Sequence, residues 1–300
     1  MKIIQGINNI GKIKKPVLAM GVFDGVHRGH KEILKAAVED ARKIKGTSIA
    51  LTFWPHPQQQ GSLYSLEHRL RLIAELGIDL CIVVNFTRHF AQIKAEDFIK
   101  NILVNKIGVQ YIYVGNDFKF GKDAEGNLKL LNNLGKIFGF KARGFRIIKS
   151  ENKPISSTLI RSLIKKGEIR KAQGLLDRPV SVLGTVIKGT ALGRMLGFPT
   201  ANIDPHHEVI PARGIYAVKV ILGKKKLGGV CYIGKRPTII AKNNKINIEV
   251  HILNFDGDIY GKYLEIQFAK IIRRDEKFPS LKHLTGQIEK DVASAKKILS

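Results

Sequence analysis

The first half of the chain alternates short apolar runs with segments of helical periodicity. Four apolar runs lack a regular polar alternation, which is typical of strands buried on both faces. These runs lie at 16–23, 47–53, 79–86 and 111–118. Apolar residues at three- and four-residue spacing predict helices between and after them, at 29–45, 66–76, 95–107 and 127–138. Strands alternating with helices predict a parallel sheet with helices on both faces, an α/β Rossmann-like fold.

The pattern changes in the second half. Two short helices are predicted within 156–176, with Ser156 or Ser157 as the N-cap and Gly167 as a stop. After Pro179, β-rich runs broken by Gly, Asn, Asp and Pro predict a small antiparallel barrel. These runs lie at 180–189, 214–223, 226–234, 244–253 and 262–272, and helical periodicity returns at 280–299. We therefore predict two domains, 1–179 and 180–300.

Composition narrows the class of protein. No apolar run reaches the length of about 18 residues that a membrane-spanning helix needs. The N-terminal segment lacks the apolar core of a signal peptide. The two cysteines, Cys81 and Cys231, each lie in an apolar stretch, which predicts buried free thiols and suits a reducing compartment. We therefore expect a cytoplasmic protein without membrane contact.

The chain is strongly basic, with a formal net charge of +26. Residues 1–150 carry 24 Lys and Arg against 12 Asp and Glu, and residues 151–300 carry 27 against 13. Such a surface attracts polyanions, and both nucleic acid and nucleoside phosphates are candidates. A general lysine bias accounts for the excess equally well. Because the charge is evenly spread and only 7% of residues are aromatic, we expect no nucleic-acid partner.

The segment GVFDGVHRGH, residues 21–30, stands between a predicted buried strand and a predicted helix. Gly21, Gly25 and Gly29 allow a tight backbone turn. The N–H groups at the start of the following helix then form an anion site. His27 and His30, three residues apart, can direct hydrogen bonds to one point. The segment therefore predicts a site for phosphate groups.

Other interpretations of nearby residues remain open. Two histidines at this spacing could bind zinc or simply cap the helix. Trp54 could stack on a ring or pack in the core. The segment GINNIGKI, residues 6–13, nearly matches the phosphate-binding P-loop pattern, but Ile13 stands where a hydroxyl is needed and a strand follows instead of a helix. We therefore reject a P-loop at this position.

A second group of polar residues opens the β-rich half, in GRMLGFPTANI, residues 193–203. Gly189, Gly193 and Gly197 indicate a flexible loop, although glycines in β domains commonly mark turns or bulges. Thr200 and Asn202 point to the same side of an extended backbone. A hydroxyl and an amide oxygen together suit Mg²⁺. An ordinary polar strand face is the alternative.

Several of these segments resemble one family. HRGH resembles the HxGH element of nucleotidyltransferases. The longer FDGVHRGH, followed in order by TFWPHP (52–57), FTRHFAQIKAEDFI (86–99), VGNDFKFG (114–121) and ISSTLIR (155–161), resembles the bacterial bifunctional riboflavin kinase/FAD synthetase family. The β-rich half resembles that family's riboflavin kinase domain, in GRMLGFPTANI, PARGIYAVKV, GVCYIGKRPT (229–238), IEVHILNFDGDIYG and RRDEKFPSLKHL. The resemblance extends over almost the whole chain.

The resemblance implies two reactions: ATP-dependent phosphorylation of riboflavin to FMN, and adenylyl transfer from ATP to FMN, giving FAD and pyrophosphate. It implies Glu249 as the catalytic base of the kinase, His27 and His30 as catalytic groups of adenylyl transfer, and Thr200 and Asn202 as Mg²⁺ ligands. Binding of nucleotide and flavin would fall to Gly21, Phe23, Asp24, Gly25, Asp117, Ser157, Thr158, Arg161, Gly193, Gly197, Pro199 and Arg274. Ser157, Thr158 and Arg161 would hold the β- and γ-phosphates of ATP.

The chain departs from the family pattern at three positions. Asp177 stands where the family usually has glycine, and Asp123 and Ala124 stand where basic residues are common. Two alternative functions stay open at this point: a riboflavin kinase with a degraded first domain, and a basic nucleic-acid-binding protein. We expect a monomer or a weak homo-oligomer.

Overall fold

In a computed structural model, the described residues are 1–57, 62–189, 192–206, 208–235 and 246–300. Contacts divide the chain into two compact units, the first comprising Met1–Ser62 and Leu66–Ser157 and the second Leu63–Ser65 and Thr158–Ser300. The end of the GVCYIGKRPT segment, after Lys235, lies outside the described residues. No helix in the described part of the chain is both long and apolar enough to cross a membrane.

The first unit is an α/β unit built on a six-stranded parallel sheet with the strand order β1-β4-β3-β2-β5-β6. Its elements, in chain order, are β1 (Lys2–Gln5), β2 (Pro16–Met20), α1 (Arg28–Lys43), β3 (Thr47–Trp54), α2 (Leu66–Glu75), β4 (Leu80–Asn85), α3 (Arg88–Ala91), α4 (Ala95–Asp97) continued by a π-helix (Phe98–Ile107), β5 (Tyr111–Gly115), a 3₁₀ turn (Lys122–Ala124), α5 (Leu128–Phe138), β6 (Lys141–Phe145) and the hairpin β7 (Lys149–Ser150) and β8 (Lys153–Pro154).

The central strands are buried on both faces, as their apolar runs predict. All five residues of β2 are buried. Leu18 and Met20 pack into a core that includes the π-helix, and Val17 and Ala19 project to the other face of the sheet. Helix α1 packs against β2, β3 and β5. Strands β2, β4 and β5 end one to three residues before their predicted runs, because the last residues of those runs belong to the loops at the carboxyl edge, whereas β3 extends one residue beyond its run.

The second unit is a closed antiparallel barrel with the strand order β10-β13-β12-β11-β14-β9. Its elements are α6 (Ser157–Lys165, whose first residue belongs to the first unit), α7 (Ile169–Leu176), β9 (Val180–Ile187), α8 (Leu192–Met195), β10 (Ala201–Asp204), β11 (Gly214–Leu222), β12 (Lys225–Lys235), β13 (Ile246–Ile252), β14 (Tyr263–Arg273) and α9 (Leu281–Leu299). Ala295 of α9 packs on Ile215, Ala217 and Val230, so the C-terminal helix covers the outer face of β11 and β12.

All three positions of departure from the family pattern have a left-handed backbone. Asp177 ends α7 with φ 53°, and its N–H donates to the Gln173 carbonyl at 2.7 Å. Glycine adopts this conformation freely and aspartate tolerates it better than most residues. Asp123 and Ala124 have φ of 54° and 58°. Both side chains are exposed, so backbone conformation is the distinctive feature of these positions.

Ala124→Gly is expected to stabilise the first unit by about 0.5–1 kcal/mol, because alanine is strained at φ 58° and glycine is not. The measurement is the denaturant midpoint of the transition that belongs to this unit. The matched control is Ala36→Gly within α1, where the same chemical change should destabilise by about 1 kcal/mol. Equal effects of the two substitutions would contradict the backbone explanation.

Candidate active sites

The loop between β2 and α1 carries the GVFDGVHRGH segment at the carboxyl edge of the sheet. The chain runs from β2 to β3 and β4 on one side of β2, whereas β5 pairs with its other side. Ligands of open α/β sheets bind at such a switch point, outside the carboxyl ends of the strands. Asp117 is exposed and lies two residues after the end of β5, the strand that pairs with β2. The topology therefore brings both predicted segments to one edge.

His27 and His30 lie side by side at the start of α1. Their ring centroids are 3.6 Å apart and the rings are nearly parallel, at 19°. His27 occupies the N-cap position, but its side chain makes no capping hydrogen bond. The first turn of α1 contains no acidic residue, so the partial positive charge of the helix terminus is not offset within that turn. This geometry favours an anion, as the sequence predicts.

The backbone of this loop has an unusual conformation. Gly25 has φ 81°, a value typical of a glycine in a turn. Phe23 and Val26, which are not glycines, are also left-handed, with φ of 51° and 39°. The Phe23 ring is fully buried and meets the His30 ring edge-on, with centroids 5.4 Å apart. A β-carbon on Gly21 would lie 2.9 Å from the Phe23 ring, so this position needs glycine.

Asp24 is almost completely buried within the loop. The Ser157 hydroxyl donates to the Asp24 carbonyl at 2.8 Å, so the first residue of α6 is joined to the loop. Thr158 is exposed and Arg161 is half-buried on the first turns of α6; both belong to the second compact unit. Their predicted contact with ATP phosphates stays a prediction, as does that of Ser157.

Two features beside the loop were not anticipated. Arg69 of α2 is completely buried next to Asp24. A phenylalanine cluster lies at and beyond the carboxyl ends of β3, β4 and β5, with ring centroids of contacting pairs 5.6–6.2 Å apart. Its members are Phe53, Phe86, Phe90, Phe98, Phe118 and Phe120. Trp54 lies under the Arg69 guanidinium, 5.4 Å from ring centroid to Cζ.

The second site forms across three strands of the barrel. Asn202 on β10 is directly opposite Glu249 on β13, and Glu249 is opposite Tyr232 on β12. Opposed residues project to the same face of a sheet. The Thr200 hydroxyl donates to Glu249 Oε2 at 3.2 Å. The pairing register therefore brings Thr200, Asn202 and Glu249 together, although 49 residues separate Thr200 from Glu249.

The Glu249 carboxylate is held from a second side. The Asn247 amide donates to Glu249 Oε1 at 2.5 Å, from two residues earlier on the same strand face. Burial raises the pKa of the Tyr232 phenol to about 12 and so keeps it protonated; its hydroxyl donates to Asp275 at 3.4 Å. Glu249 is half-buried, which places it neither in the core nor in open solvent.

The loop before β10 is closely packed. The His251 Nδ1–H donates to the Pro199 carbonyl at 2.9 Å. Gly197 is left-handed at φ 84°, and a β-carbon on Gly193 would lie 2.5 Å from the Phe198 carbonyl and 3.1 Å from Thr200 Oγ1. Arg274 is exposed beyond β14, and its carbonyl accepts from the Arg273 guanidinium. Its assignment to a ligand stays a prediction.

Oxygen donors of the second site suit a hard cation. Thr200, Asn202 and Glu249 offer a hydroxyl, an amide and a carboxylate oxygen on one face, the chemistry that Mg²⁺ prefers. Among the described residues, no group of three or more His, Cys, Asp or Glu side chains could hold a metal ion.

Comparison with known proteins identifies relatives over the full length of the chain. The FAD synthetase family model matches residues 10–159 and the riboflavin kinase model matches residues 176–299. The bifunctional riboflavin kinase/FMN adenylyltransferase of Escherichia coli K12 is 37% identical over 306 aligned residues, which cover 99% of this chain and 97% of that protein. The enzyme of the same description from Haemophilus influenzae is 38% identical, with 99% and 98% covered.

A solved structure has the same architecture. The crystal structure described as a macrolide-efflux protein from Streptococcus pneumoniae superposes with a TM-score of 0.85 at 28% identity and covers 99% of both chains.

Proposed function

The chain belongs to the bifunctional riboflavin kinase/FMN adenylyltransferase family, and from that premise we propose how its residues divide the two reactions. It phosphorylates riboflavin to FMN with ATP and adenylylates FMN to FAD with release of pyrophosphate. We assign adenylyl transfer to residues 1–179 and the kinase to residues 180–300. The observation that carries this division is that the two family models match separate halves of the chain, 10–159 and 176–299.

Adenylyl transfer takes place at the β2–α1 loop. The FMN phosphate attacks the α-phosphorus of ATP, the bond to the β-phosphate bridging oxygen breaks, and pyrophosphate leaves. In-line displacement of this kind needs no covalent enzyme nucleophile, because positioning and charge stabilisation carry it. His27, His30 and the N-terminal N–H groups of α1 provide donors for the phosphate oxygens. Gly21 and Gly25 shape the loop, and Phe23 holds the His30 ring edge-on.

The isoalloxazine ring of FMN is assigned to the phenylalanine cluster. Flat aromatic ligands bind by stacking and edge-on contacts with aromatic side chains. The cluster lies at the same carboxyl edge of the sheet as the loop and Asp117, within the same compact unit. Phe118, one residue after Asp117, is half-buried and therefore accessible to a ligand.

Phosphorylation of riboflavin takes place at the second site. Glu249 accepts the proton of the riboflavin 5′-hydroxyl while that oxygen attacks the γ-phosphorus of the ATP bound there, and ADP leaves. The hydrogen bonds from Thr200 and Asn247 hold the Glu249 carboxylate in one orientation. Gly193, Gly197 and Pro199 shape the loop that approaches Thr200.

Mg²⁺ is the metal we propose for the kinase, held by Thr200 and Asn202 together with ATP phosphate oxygens. When bound, the ion neutralises charge on the transferring phosphoryl group. The Thr200 hydroxyl directs its hydrogen to Glu249, so its lone pairs remain free to coordinate a cation.

Thr200→Val is expected to raise the Mg²⁺ concentration for half-maximal kinase activity by about tenfold or more, because the substitution keeps the shape and removes one oxygen ligand. The measurement is FMN formation during a titration with MgCl₂ after EDTA treatment. The matched control is Thr185→Val on β9, whose hydroxyl contacts His206 and is not part of the proposed site. An unchanged Mg²⁺ requirement in Thr200→Val would contradict the assignment.

Separation of reaction products tests the function as a whole. The protein is incubated with riboflavin, ATP and Mg²⁺, and the flavins are separated by chromatography. Formation of both FMN and FAD is the expected result. FMN alone would support a kinase with a degraded first domain. Strong salt-dependent binding of DNA without any flavin turnover would support the nucleic-acid-binding alternative.

A cytoplasmic location is also proposed. Cys81 and Cys231 are both free and buried, which suits a reducing compartment. Burial raises the pKa of the Cys81 thiol to about 12, so it stays protonated and unreactive at neutral pH. A monomer or weak homo-oligomer stays our prediction for the assembly state, and sedimentation of the purified protein tests it.

A further inference from the structure

Arg69 on α2 is the one Arg or Lys in the described part of the chain whose side chain is buried, with an exposed fraction of 0%. A charge in such a place is costly unless nearby groups compensate it. Burial lowers the pKa of the Arg69 guanidinium, and the nearby Asp24 carboxylate opposes that change. The sequence marks this residue with no motif, because α2 reads simply as an amphipathic helix.

The Arg69 guanidinium joins two strand ends to the β2–α1 loop. Its Nη1 donates to the Val22 carbonyl at 2.9 Å and to the Phe53 carbonyl at 3.2 Å. Its Nη2 lies 3.7 Å from Asp24 Oδ1, and both side chains are buried. The Thr52 hydroxyl donates to the same Val22 carbonyl at 2.7 Å. Arg69 and Thr52 therefore bind the backbone of Val22, and Arg69 also lies beside the Asp24 carboxylate.

The loop needs such support because its backbone is strained. Phe23 and Val26 adopt left-handed φ angles that side chains larger than glycine rarely adopt. Strained residues persist only where the surrounding structure fixes them, and they concentrate at functional sites. The residues that Arg69 holds, Val22 and Asp24, flank Phe23, whose ring contacts His30. The Phe23 ring therefore connects this anchorage to His30.

Stability alone does not explain the arrangement. A buried ion pair is often no better for stability than apolar side chains of the same volume. An apolar side chain could fill the place of Arg69 between α2 and the sheet. Ile73, one turn further along α2, is such a residue and is completely buried. A guanidinium is favoured where several carbonyl and carboxylate oxygens must be held in a defined geometry.

We propose that Arg69 is a positioning residue for adenylyl transfer, which holds Val22 and Asp24 so that His27 and His30 stand correctly at the N-terminus of α1. This inference rests on the proposed assignment of adenylyl transfer to that loop. Arg69 acts through the loop and does not touch the substrate.

Arg69→Met in the full-length chain is expected to lower kcat for FAD formation from FMN and ATP by about 100-fold, the effect of a misplacement of roughly 1 Å. KM for FMN and ATP should change much less than kcat, because Arg69 does not contact them. Arg69→Lys should have a kcat about tenfold higher than that of Arg69→Met, because lysine restores a cation and a hydrogen-bond donor. Riboflavin phosphorylation by the same samples should keep the wild-type rate.

The matched control is Ile73→Ala, which removes a completely buried apolar side chain from the same helix. This substitution destabilises the first unit by creating a cavity and removes no hydrogen bond from the loop. All variants are assayed well below their measured melting temperatures. Ile73→Ala should then retain the wild-type kcat for FAD formation, whereas Arg69→Met should not.

Three results would overturn the inference: a wild-type kcat in Arg69→Met, an equal loss of kcat in Ile73→Ala, or a kcat in Arg69→Lys no higher than that in Arg69→Met. Failure of the underlying assignment is distinguishable. If His30→Ala keeps FAD formation, the loop is not the adenylyl-transfer site; if His30→Ala loses it and Arg69→Met does not, only the role of Arg69 is wrong.

Discussion

His30→Ala is expected to lower FAD formation from FMN and ATP by about 10²–10³-fold, while riboflavin phosphorylation continues at the wild-type rate. Removal of one preorganised donor to a developing phosphoryl charge typically costs this much in kcat. The substitution also removes the ring that stacks on His27 and contacts Phe23, so the geometry of the second histidine is affected as well.

The two activities of the chain provide an internal control for this experiment. The kinase residues are assigned to the other compact unit. An undiminished rate of riboflavin phosphorylation would therefore show that the variant is folded and correctly quantified. His89→Ala removes an exposed histidine of α3 from the same unit and should leave both rates unchanged. Loss of both activities in a folded His30→Ala protein would contradict the division of the sites.

The opposite selectivity is expected for Glu249→Gln. This substitution keeps the size of the side chain and removes its ability to accept the proton of the riboflavin 5′-hydroxyl. General-base catalysis contributes about 10²–10⁴-fold, and a loss of that size is expected in the rate of FMN formation. FAD formation should be unaffected when FMN is supplied, as measured by chromatography of the flavin products.

A second carboxylate of the barrel serves as the control. Glu265 on β14 accepts a hydrogen bond from Gln267 and is outside the proposed site. Glu265→Gln should phosphorylate riboflavin at the wild-type rate. Kinase activity of Glu249→Gln within about tenfold of the wild type would be too large for loss of a general base, and the role of base would then belong to another group.

Sequence periodicity predicted the interior of each unit better than its edges. The strands β2, β3 and β4 are covered on both faces, so most of their residues are apolar and the runs are visible in the sequence. The edge strands β1 and β6 are largely exposed or half-buried and carry no apolar run, and they were missed. The short strand β10 was missed because four residues contain too little pattern.

The two sites differ in how far local sequence could indicate them. The β2–α1 loop joins adjacent elements, so glycine spacing and the histidine pair were enough to predict an anion site there. At the second site, Thr200 and Asn202 indicated oxygen ligands, but their meeting with Glu249 depends on the register between β10 and β13. The assignment of individual roles to these residues came from the family resemblance and stays a prediction.

By itself the sequence determined the alternation of strands and helices, the change to a β-rich half and the strand-to-helix turn with its two histidines, because these features depend on neighbours within a few residues. Only the tertiary structure decided which distant polar groups meet. It buried Arg69 beneath residues 22–24 and set Glu249 between Thr200 and Asn247. The physical reason is that burial and hydrogen-bond geometry are properties of packed elements. A charged residue on a helix has the same local sequence pattern whether its side chain faces water or lies buried against the strained β2–α1 loop.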